Sequence, residues 1–179
     1  MTQTEFPGFF PEIATERLLL RRIMRDDAQA VFRNFSDPEV ARWFLKQPLT
    51  KIEQTTEFIE QFDSDFREGK GLTWAVTLKE TGEFIGTCGY GSLEFGASGD
   101  IGYDLAREYW GKGVMSEALA AILDYGFSVL KLSKVTADTD LDNSRSRRLL
   151  ERLGFHLDKV QEDGRYYSLD VNSRGIPDP

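Results

Sequence analysis

The apolar residues of the chain recur with two different periods, and the change between them gives the order of the predicted elements. Near the N-terminus one strand-like run comes before three segments with helical spacing. We expect a strand at 17–23 and helices within 25–35, 36–44 and 50–69. The last of these helices should begin at a capping box formed by Thr50 and Glu53.

After residue 70 the pattern changes to short strands separated by turn residues. The predicted order is three hairpin-linked strands, a long helix, a strand, a short helix and a closing hairpin: 72–78, 84–93, 100–106, 114–130, 134–140, 143–154, 155–160 and 165–171. Hairpins make neighbouring strands antiparallel, whereas a strand–helix–strand crossover places parallel strands side by side. The pattern predicts a mixed α/β (α+β) fold, with a mostly antiparallel sheet and helices on both faces.

One domain accounts for the whole chain, residues 1–179, with a core of about 14–170 and short tails; the segment 172–179 is expected to be a loose tail. The hydrophobic fraction of 40% is sufficient for one core. The start lacks the features of a signal peptide, and no apolar run is long enough to cross a bilayer. With one cysteine, Cys88, no internal disulfide forms. We expect a soluble cytoplasmic protein without a membrane partner.

The net charge of −8 argues against a nucleic-acid partner, whose binding surface is normally basic. An acidic field favours a cationic partner such as an amine, although solubility alone also explains the charge. Neither composition nor pattern distinguishes a monomer from a homodimer.

The most informative local pattern is Gly111-Lys112-Gly113, directly before the longest predicted helix. The first turn of a helix has free N–H groups and a partial positive charge, and glycines let a phosphate approach them. The other interpretation is that the glycines only permit a tight turn. A Walker A loop and a dinucleotide-binding fingerprint do not fit, because Ala106 and Ser116 occupy positions where these motifs need glycine.

Three motifs occur together downstream of residue 100: Tyr109-Trp110-Gly-Lys-Gly with Glu117-Ala118, Asn143-x-x-Ser146, and Leu150 through Phe155. In this order and spacing they resemble the GNAT acetyltransferases, and among these the RimJ/RimL-like branch that acetylates ribosomal-protein N-termini. The resemblance covers about residues 14–170. It implies the GNAT fold and transfer of acetyl from acetyl-CoA to a primary amine by direct attack. A protein N-terminal α-amine is the expected acceptor; a small amine (polyamine or amino sugar), or an acetyl-CoA-binding module without turnover, is the alternative.

The resemblance also implies how acetyl-CoA is held. Backbone groups of the Gly-Lys-Gly turn would bind the pyrophosphate, and main-chain groups of the preceding strand would bind the pantetheine arm. Met115 stands where the superfamily usually has a small residue, so its side chain either packs between helix and sheet or weakens binding. Asn143 contacts the pantetheine or merely caps its helix. The implied cofactor-binding residues are Tyr103, Asp104, Leu105, Trp110, Gly111, Lys112, Gly113, Val114, Met115, Asn143 and Ser146.

For the chemistry, many family members use a tyrosine acid at the position that is Leu150 here. The resemblance therefore gives the role of thiolate stabiliser to Ser146. It assigns the base to Asp100, with Glu94 as the alternative, and a solvated turn charge is an equally good interpretation of either carboxylate.

The remaining reactive or aromatic side chains have mostly structural interpretations. His156 is expected to be half-buried without a catalytic role, and one histidine with one cysteine does not make the usual zinc site. Trp43, Phe44 and Trp74 either form a wall of the acceptor pocket or belong to the core.

Overall fold

The computed structural model describes residues 6–45 and 47–174, and in this part of the chain the strands form a single sheet in the order β1-β2-β3-β4-β5-β6-β8-β7. The strands are β1 Ile13–Ala14, β2 Leu18–Arg22, β3 Leu72–Leu78, β4 Phe84–Glu94, β5 Ser98–Leu105, β6 Lys134–Thr139, β7 His156–Gln161 and β8 Gly164–Asp170. The helices are α1 Ala28–Ser36, α2 Pro38–Ala41, α3 Glu53–Arg67, α4 Val114–Ser128 and α5 Ser144–Arg152, with short 3-10 helices at Arg25–Asp27, Arg107–Tyr109 and Val171–Arg174.

The strand directions are those that the turn and crossover signals predict. All neighbouring pairs are antiparallel except β5 and β6, which are parallel and joined by α4. The mixed, mostly antiparallel sheet with helices is therefore confirmed. The predicted loose tail is partly a 3-10 helix, Val171–Arg174, and residues 175–179 lie outside the described residues.

The predicted capping box of α3 is not formed. The helix begins at Glu53 without a side-chain cap, and the side chain of the neighbouring Gln54 binds exposed backbone N–H groups instead. Its Oε1 accepts hydrogen bonds from the backbone N–H groups of Thr50 and Lys51 at 3.0 and 2.9 Å. A glutamine one position further along therefore satisfies the exposed donors, which the Thr-x-x-Glu pattern alone does not indicate.

The parallel pair β5–β6 is short, and this shapes the middle of the sheet. Pairing covers Ser98–Asp100 against Lys134–Thr136, after which β6 continues beside β8 and β5 runs on to Leu105. The sheet thus opens into a V. The Ala106 N–H donates to the Ile85 carbonyl on β4. Because successive residues of a strand direct their N–H and C=O groups to opposite sides, those of Tyr103 and Leu105 point away from β4, toward the opening.

Each face of the sheet is covered by its own hydrophobic cluster. The apolar α4 packs on one face, where the Tyr90 hydroxyl donates to the Ile122 carbonyl at 2.8 Å. Helices α1 and α3 cover the other face around Phe35, Ile59 and Ala75. Because both faces of the sheet are buried, β5, the strand that borders the V, is held in position between two packed layers.

A small polar cluster is enclosed between α1 and the sheet. The Asp104 side chain, 6% exposed, accepts hydrogen bonds from the Thr87 hydroxyl and, at 3.4 Å, from the Asn34 amide. Burial raises the pKa of Asp104 to about 6, although the bonds from Thr87 and Asn34 act in the opposite direction. This carboxyl therefore ionises inside the protein at a cost.

We predict that Asp104→Asn changes the pH dependence of stability. A folded-state pKa above the ordinary value of 3.8 means that the native protein loses stability as pH rises from about 4 through about 6. For a shift of this size the loss is of order 3 kcal/mol, since one pKa unit is worth about 1.4 kcal/mol.

Urea denaturation at pH 4.5, 5.5, 6.5 and 7.5 measures this effect. The free energy of unfolding of the variant minus that of the unmodified protein should increase from pH 4.5 to 7.5. Two curves that stay parallel from pH 4.5 to 7.5 would contradict the prediction.

Candidate active site

A cavity of about 480 Å³ lies where the V of the sheet meets the start of α4. Its walls come from α2, the end of β5, the turn before α4, and α5. A loop, the open end of a strand and two helix N-termini thus face one cavity, which is typical of ligand sites in mixed α/β sheets.

The turn before α4 requires its two glycines. Gly111 and Gly113 both have φ of +73°, a left-handed conformation that is costly for other residues. Gly113 is the N-cap residue of α4, and no side chain in the described part of the protein caps this helix. The free N–H groups of Val114, Met115 and Ser116 are therefore at the cavity, where these residues form part of the lining.

The two interpretations of the glycines are compatible, because the same geometry makes the turn and leaves the donors uncovered. The Met115 side chain packs between α4 and the sheet, which is one of the two interpretations given for it. This side chain is 6% exposed and belongs to the core cluster between α4 and the sheet. Lys112 lies outside the cavity lining, and its ammonium sits 5.5 Å from the ring centroid of Tyr109.

A basic side of the cavity is formed by Arg145, Arg148 and Arg152, which the sequence analysis missed. Their spacing of three and four residues places them on one face of α5, and this spacing was the signal that could have found them. The Arg145 guanidinium lies 4.1 Å from the ring centroid of Trp110, whose Nε1–H donates to the Leu105 carbonyl at 2.7 Å. Trp110 thus connects the end of β5 to the arginines.

Two hydroxyl groups meet at the open edge of β5. The Tyr103 Oη and the Ser146 Oγ are 2.5 Å apart, and both residues line the cavity. Burial raises the pKa of Tyr103 to about 12, with the hydrogen bond to Ser146 acting against the shift. The phenol is therefore neutral at physiological pH. Asn143 caps α5 by accepting the Ser146 N–H at 3.1 Å, which holds Ser146 in place.

The two candidate bases lie at different distances from this centre. Asp100 is not part of the cavity lining; it stands where β5–β6 pairing ends and accepts a hydrogen bond from the Thr136 hydroxyl at 2.6 Å. Burial raises its pKa, and the charge of Asp138 adds to the effect. Glu94 is an exposed residue at the end of β4, also outside the lining.

Among the aromatic candidates, Trp43 and Phe44 line the cavity, whereas Trp74 does not. Trp74 is fully buried, and its Nε1–H donates to the Pro11 carbonyl at 2.7 Å, so of its two interpretations the structure supports the core. His156 is exposed on the edge strand β7 rather than half-buried. Cys88 is buried.

Across the described ranges, no group of three or more His, Cys, Asp or Glu side chains is arranged to hold a metal ion. Among the helices that the structure describes, none combines the length and the apolar character needed to span a bilayer.

The chain is similar in sequence to known acetyltransferases. Residues 17–156 match the family model for the acetyltransferase (GNAT) domain. The N-acetyltransferase YoaA of Bacillus subtilis (strain 168) is 36% identical over 174 residues, covering 95% of this chain and 98% of YoaA. Spermidine N(1)-acetyltransferase of Escherichia coli (strain K12) is 23% identical over 140 residues, covering 78% and 73%.

The fold is shared with solved acetyltransferases. RimL, a ribosomal L7/L12 alpha-N-protein acetyltransferase, superimposes with a TM-score of 0.79 at 19% identity, covering 90% of this chain and 94% of RimL. RimL has also been solved in complex with coenzyme A. The family match and the related N-acetyltransferase show that the chain belongs to the GNAT family and is an acetyl-CoA-dependent N-acetyltransferase.

Proposed function

We propose that the cavity holds acetyl-CoA with its diphosphate at the start of α4, and that the protein acetylates the α-amine of a protein N-terminus. The observation that carries this proposal is the shared space: the uncapped N-terminus of α4 and the Tyr103–Ser146 pair face the same cavity. The start of α4 offers donors for phosphate oxygens, and Ser146 offers a hydroxyl for a leaving thiolate.

The residues present fit acetyl-CoA in charge and in shape. The N–H groups of Val114, Met115 and Ser116 would bind the diphosphate, and Arg145, Arg148 and Arg152 provide cationic partners for phosphate oxygens nearby. The Leu105 carbonyl is already bonded to Trp110. The backbone groups of Tyr103 and the Leu105 N–H face the opening, and these would bind the pantetheine arm. The backbone groups of Asp104 face β4 instead.

Acetyl-CoA supplies a thioester whose carbonyl carbon the amine attacks. The C–N bond forms, the C–S bond breaks, the nitrogen gives up a proton and the sulfur takes one. Ser146 is the proposed donor toward the sulfur. If Tyr103 donates its proton to the Ser146 Oγ, the Ser146 O–H is free to point into the cavity. Tyr103 then acts as a positioning residue through its side chain.

Asp100 is the proposed acceptor of the amine proton. Its raised pKa makes it a better base than an exposed aspartate, and its position at the apex of the V places it beside the opening. Because Asp100 is outside the cavity lining, the proton would have to reach it through water.

The apolar residues of the cavity lining support a peptide as acceptor. Among them are Val40, Trp43 and Phe44, whose side chains suit the first side chains of a peptide. Of the described lining residues, Asp104 alone is acidic, and its carboxyl is bonded to Thr87 and Asn34. A polyamine needs free carboxylates for its other ammonium groups, so this lining favours a peptide.

We expect Ser116→Pro to weaken coenzyme A binding about ten- to a hundredfold. Proline is tolerated in the first turn of a helix but lacks the N–H, and a hydrogen bond to a charged group is worth about 1.5–3 kcal/mol. Ser116→Ala is the matched control, because it removes the hydroxyl and keeps the N–H. Calorimetry should give it the affinity of the unmodified protein. Equal affinities for all three proteins, each melting normally, would refute the diphosphate site.

The Tyr103–Ser146 pair makes a second prediction. Ser146→Ala should lower kcat about a hundredfold, a typical contribution of a positioned acid. Tyr103→Phe should lower it by up to about tenfold, the worth of one neutral hydrogen bond. Because Tyr103 acts through Ser146, the double variant should be no slower than Ser146→Ala alone, with KM for acetyl-CoA unchanged. Losses that multiply in the double variant would show that the two residues act independently.

The acceptor is tested by competition. We expect faster acetylation of a peptide with a free N-terminus than of spermidine or an amino sugar at equal concentration, measured by mass spectrometry. The same peptide with a formylated N-terminus and an internal lysine is the control, and should not be acetylated. Preference for spermidine would replace the peptide proposal by the small-amine alternative. If coenzyme A binds but none of these acceptors reacts, the peptide proposal is wrong and the acceptor belongs to another class.

A further inference from the structure

The segment between β1 and β2 is attached to the beginning of α4 across 100 residues of sequence. The Glu117 carboxylate accepts three hydrogen bonds from this segment: from the Thr15 hydroxyl at 2.6 Å, from the Arg17 backbone N–H at 2.8 Å, and from the Arg17 Nε at 2.6 Å. Burial acts to raise the pKa of Glu117, but the bonds from Thr15 and Arg17 outweigh it and hold the pKa below the ordinary value of 4.5. The carboxylate and the guanidinium therefore meet as charged groups at neutral pH.

The other arm of the same guanidinium contacts the turn. Arg17 Nη1 donates to the Lys112 carbonyl oxygen at 3.0 Å. In a planar trans peptide the carbonyl and the following N–H point in opposite directions. Gly113 lines the cavity, and Arg17 does not. With its carbonyl held on the Arg17 side, the Lys112–Gly113 peptide directs the Gly113 N–H toward the cavity.

Such a constraint matters because this peptide ends at one glycine, Gly113, and Lys112 itself follows another, Gly111. Gly111 and Gly113 have no side chains to restrict rotation of the turn, and no neighbouring atom lies within 4 Å of a Cβ built at Gly111. Rotation of the Lys112–Gly113 peptide would present a carbonyl oxygen to the cavity in place of an N–H. A phosphate oxygen is bound by the N–H and repelled by the carbonyl oxygen.

We infer that Arg17, anchored by Glu117, is a positioning residue that holds the Lys112–Gly113 peptide in the orientation that binds the diphosphate. The planar guanidinium suits this role because one group bonds to a carboxylate and a carbonyl at once, which a lysine ammonium at the same site does with poorer geometry. The inference rests on the proposed diphosphate site, and the experiment separates the two.

The test compares Arg17→Met with Arg22→Met. Both arginine side chains are about equally exposed, 46% and 44%, and each pairs with one carboxylate, so Arg22→Met controls for the loss of a surface ion pair. Calorimetry measures Kd for coenzyme A, for 3′-dephospho-coenzyme A, which keeps the diphosphate, and for pantetheine, which lacks it. Thermal melting of each variant reports on the fold.

We expect Arg17→Met to raise Kd about tenfold or more for both diphosphate ligands, and to leave Kd for pantetheine within about twofold. Arg22→Met should bind all three ligands normally. Arg17→Lys should keep the charge and the melting temperature but lose affinity for both diphosphate ligands, which keeps the test valid if Arg17→Met unfolds.

Four results would overturn the inference. Unchanged affinity of both Arg17 variants for coenzyme A would show that the turn needs no support from Arg17. An equal loss for pantetheine, or the same loss in Arg22→Met, would reveal a general structural effect. If the unmodified protein itself binds coenzyme A no better than pantetheine, the diphosphate site fails, and the role of Arg17 fails with it.

Discussion

The free N–H groups at the start of α4 are the feature on which the site depends. A helix that begins without a side-chain cap carries unsatisfied donors and a partial positive charge at its first turn. Here this end opens on a cavity, because Gly113 lies in the left-handed region and presents no side chain. A helix start of this kind is suited to bind an anion. The remaining parts of the site are arranged around it.

The sheet supplies the second half of the arrangement. Because β5 and β6 part after Asp100, the end of β5 has a free edge in the interior of the protein. Tyr103 projects from that edge to Ser146 on α5, and Trp110 connects the Leu105 carbonyl to Arg145. The layers packed on both faces of the sheet hold this edge in position. The fold therefore brings the uncapped start of α4 and a pair of hydroxyls to one cavity.

Much of this could be predicted from local sequence. Turn residues and hydrophobic period gave the strand directions correctly, since hairpins and a crossover leave few topologies. The turn at Gly111–Gly113 was also recognisable, because its glycines are required by the backbone conformation itself. Local pattern was less reliable where neighbours compete for the same role, as at α3, where Gln54 rather than Glu53 satisfies the exposed N–H groups.

The parts that could not be predicted depend on contacts between distant segments. The bond between Arg17 and Lys112, and the pairing of Tyr103 with Ser146, need the assembled sheet. The two interpretations of Trp74 stayed open for the same reason, because a large aromatic side chain on a strand fits a core as well as a pocket wall until its neighbours are known. The arginines of α5 were different: their helical spacing was visible, and its meaning depended on what the helix faces.

The most direct measurement of the central claim is a ¹H–¹⁵N NMR titration of the protein with coenzyme A. If the start of α4 binds the diphosphate, the largest amide shifts should fall on Gly113, Val114, Met115 and Ser116, and pantetheine should leave them nearly unchanged. If coenzyme A binds while these amides do not move, or if pantetheine moves them equally, the account of the site is wrong.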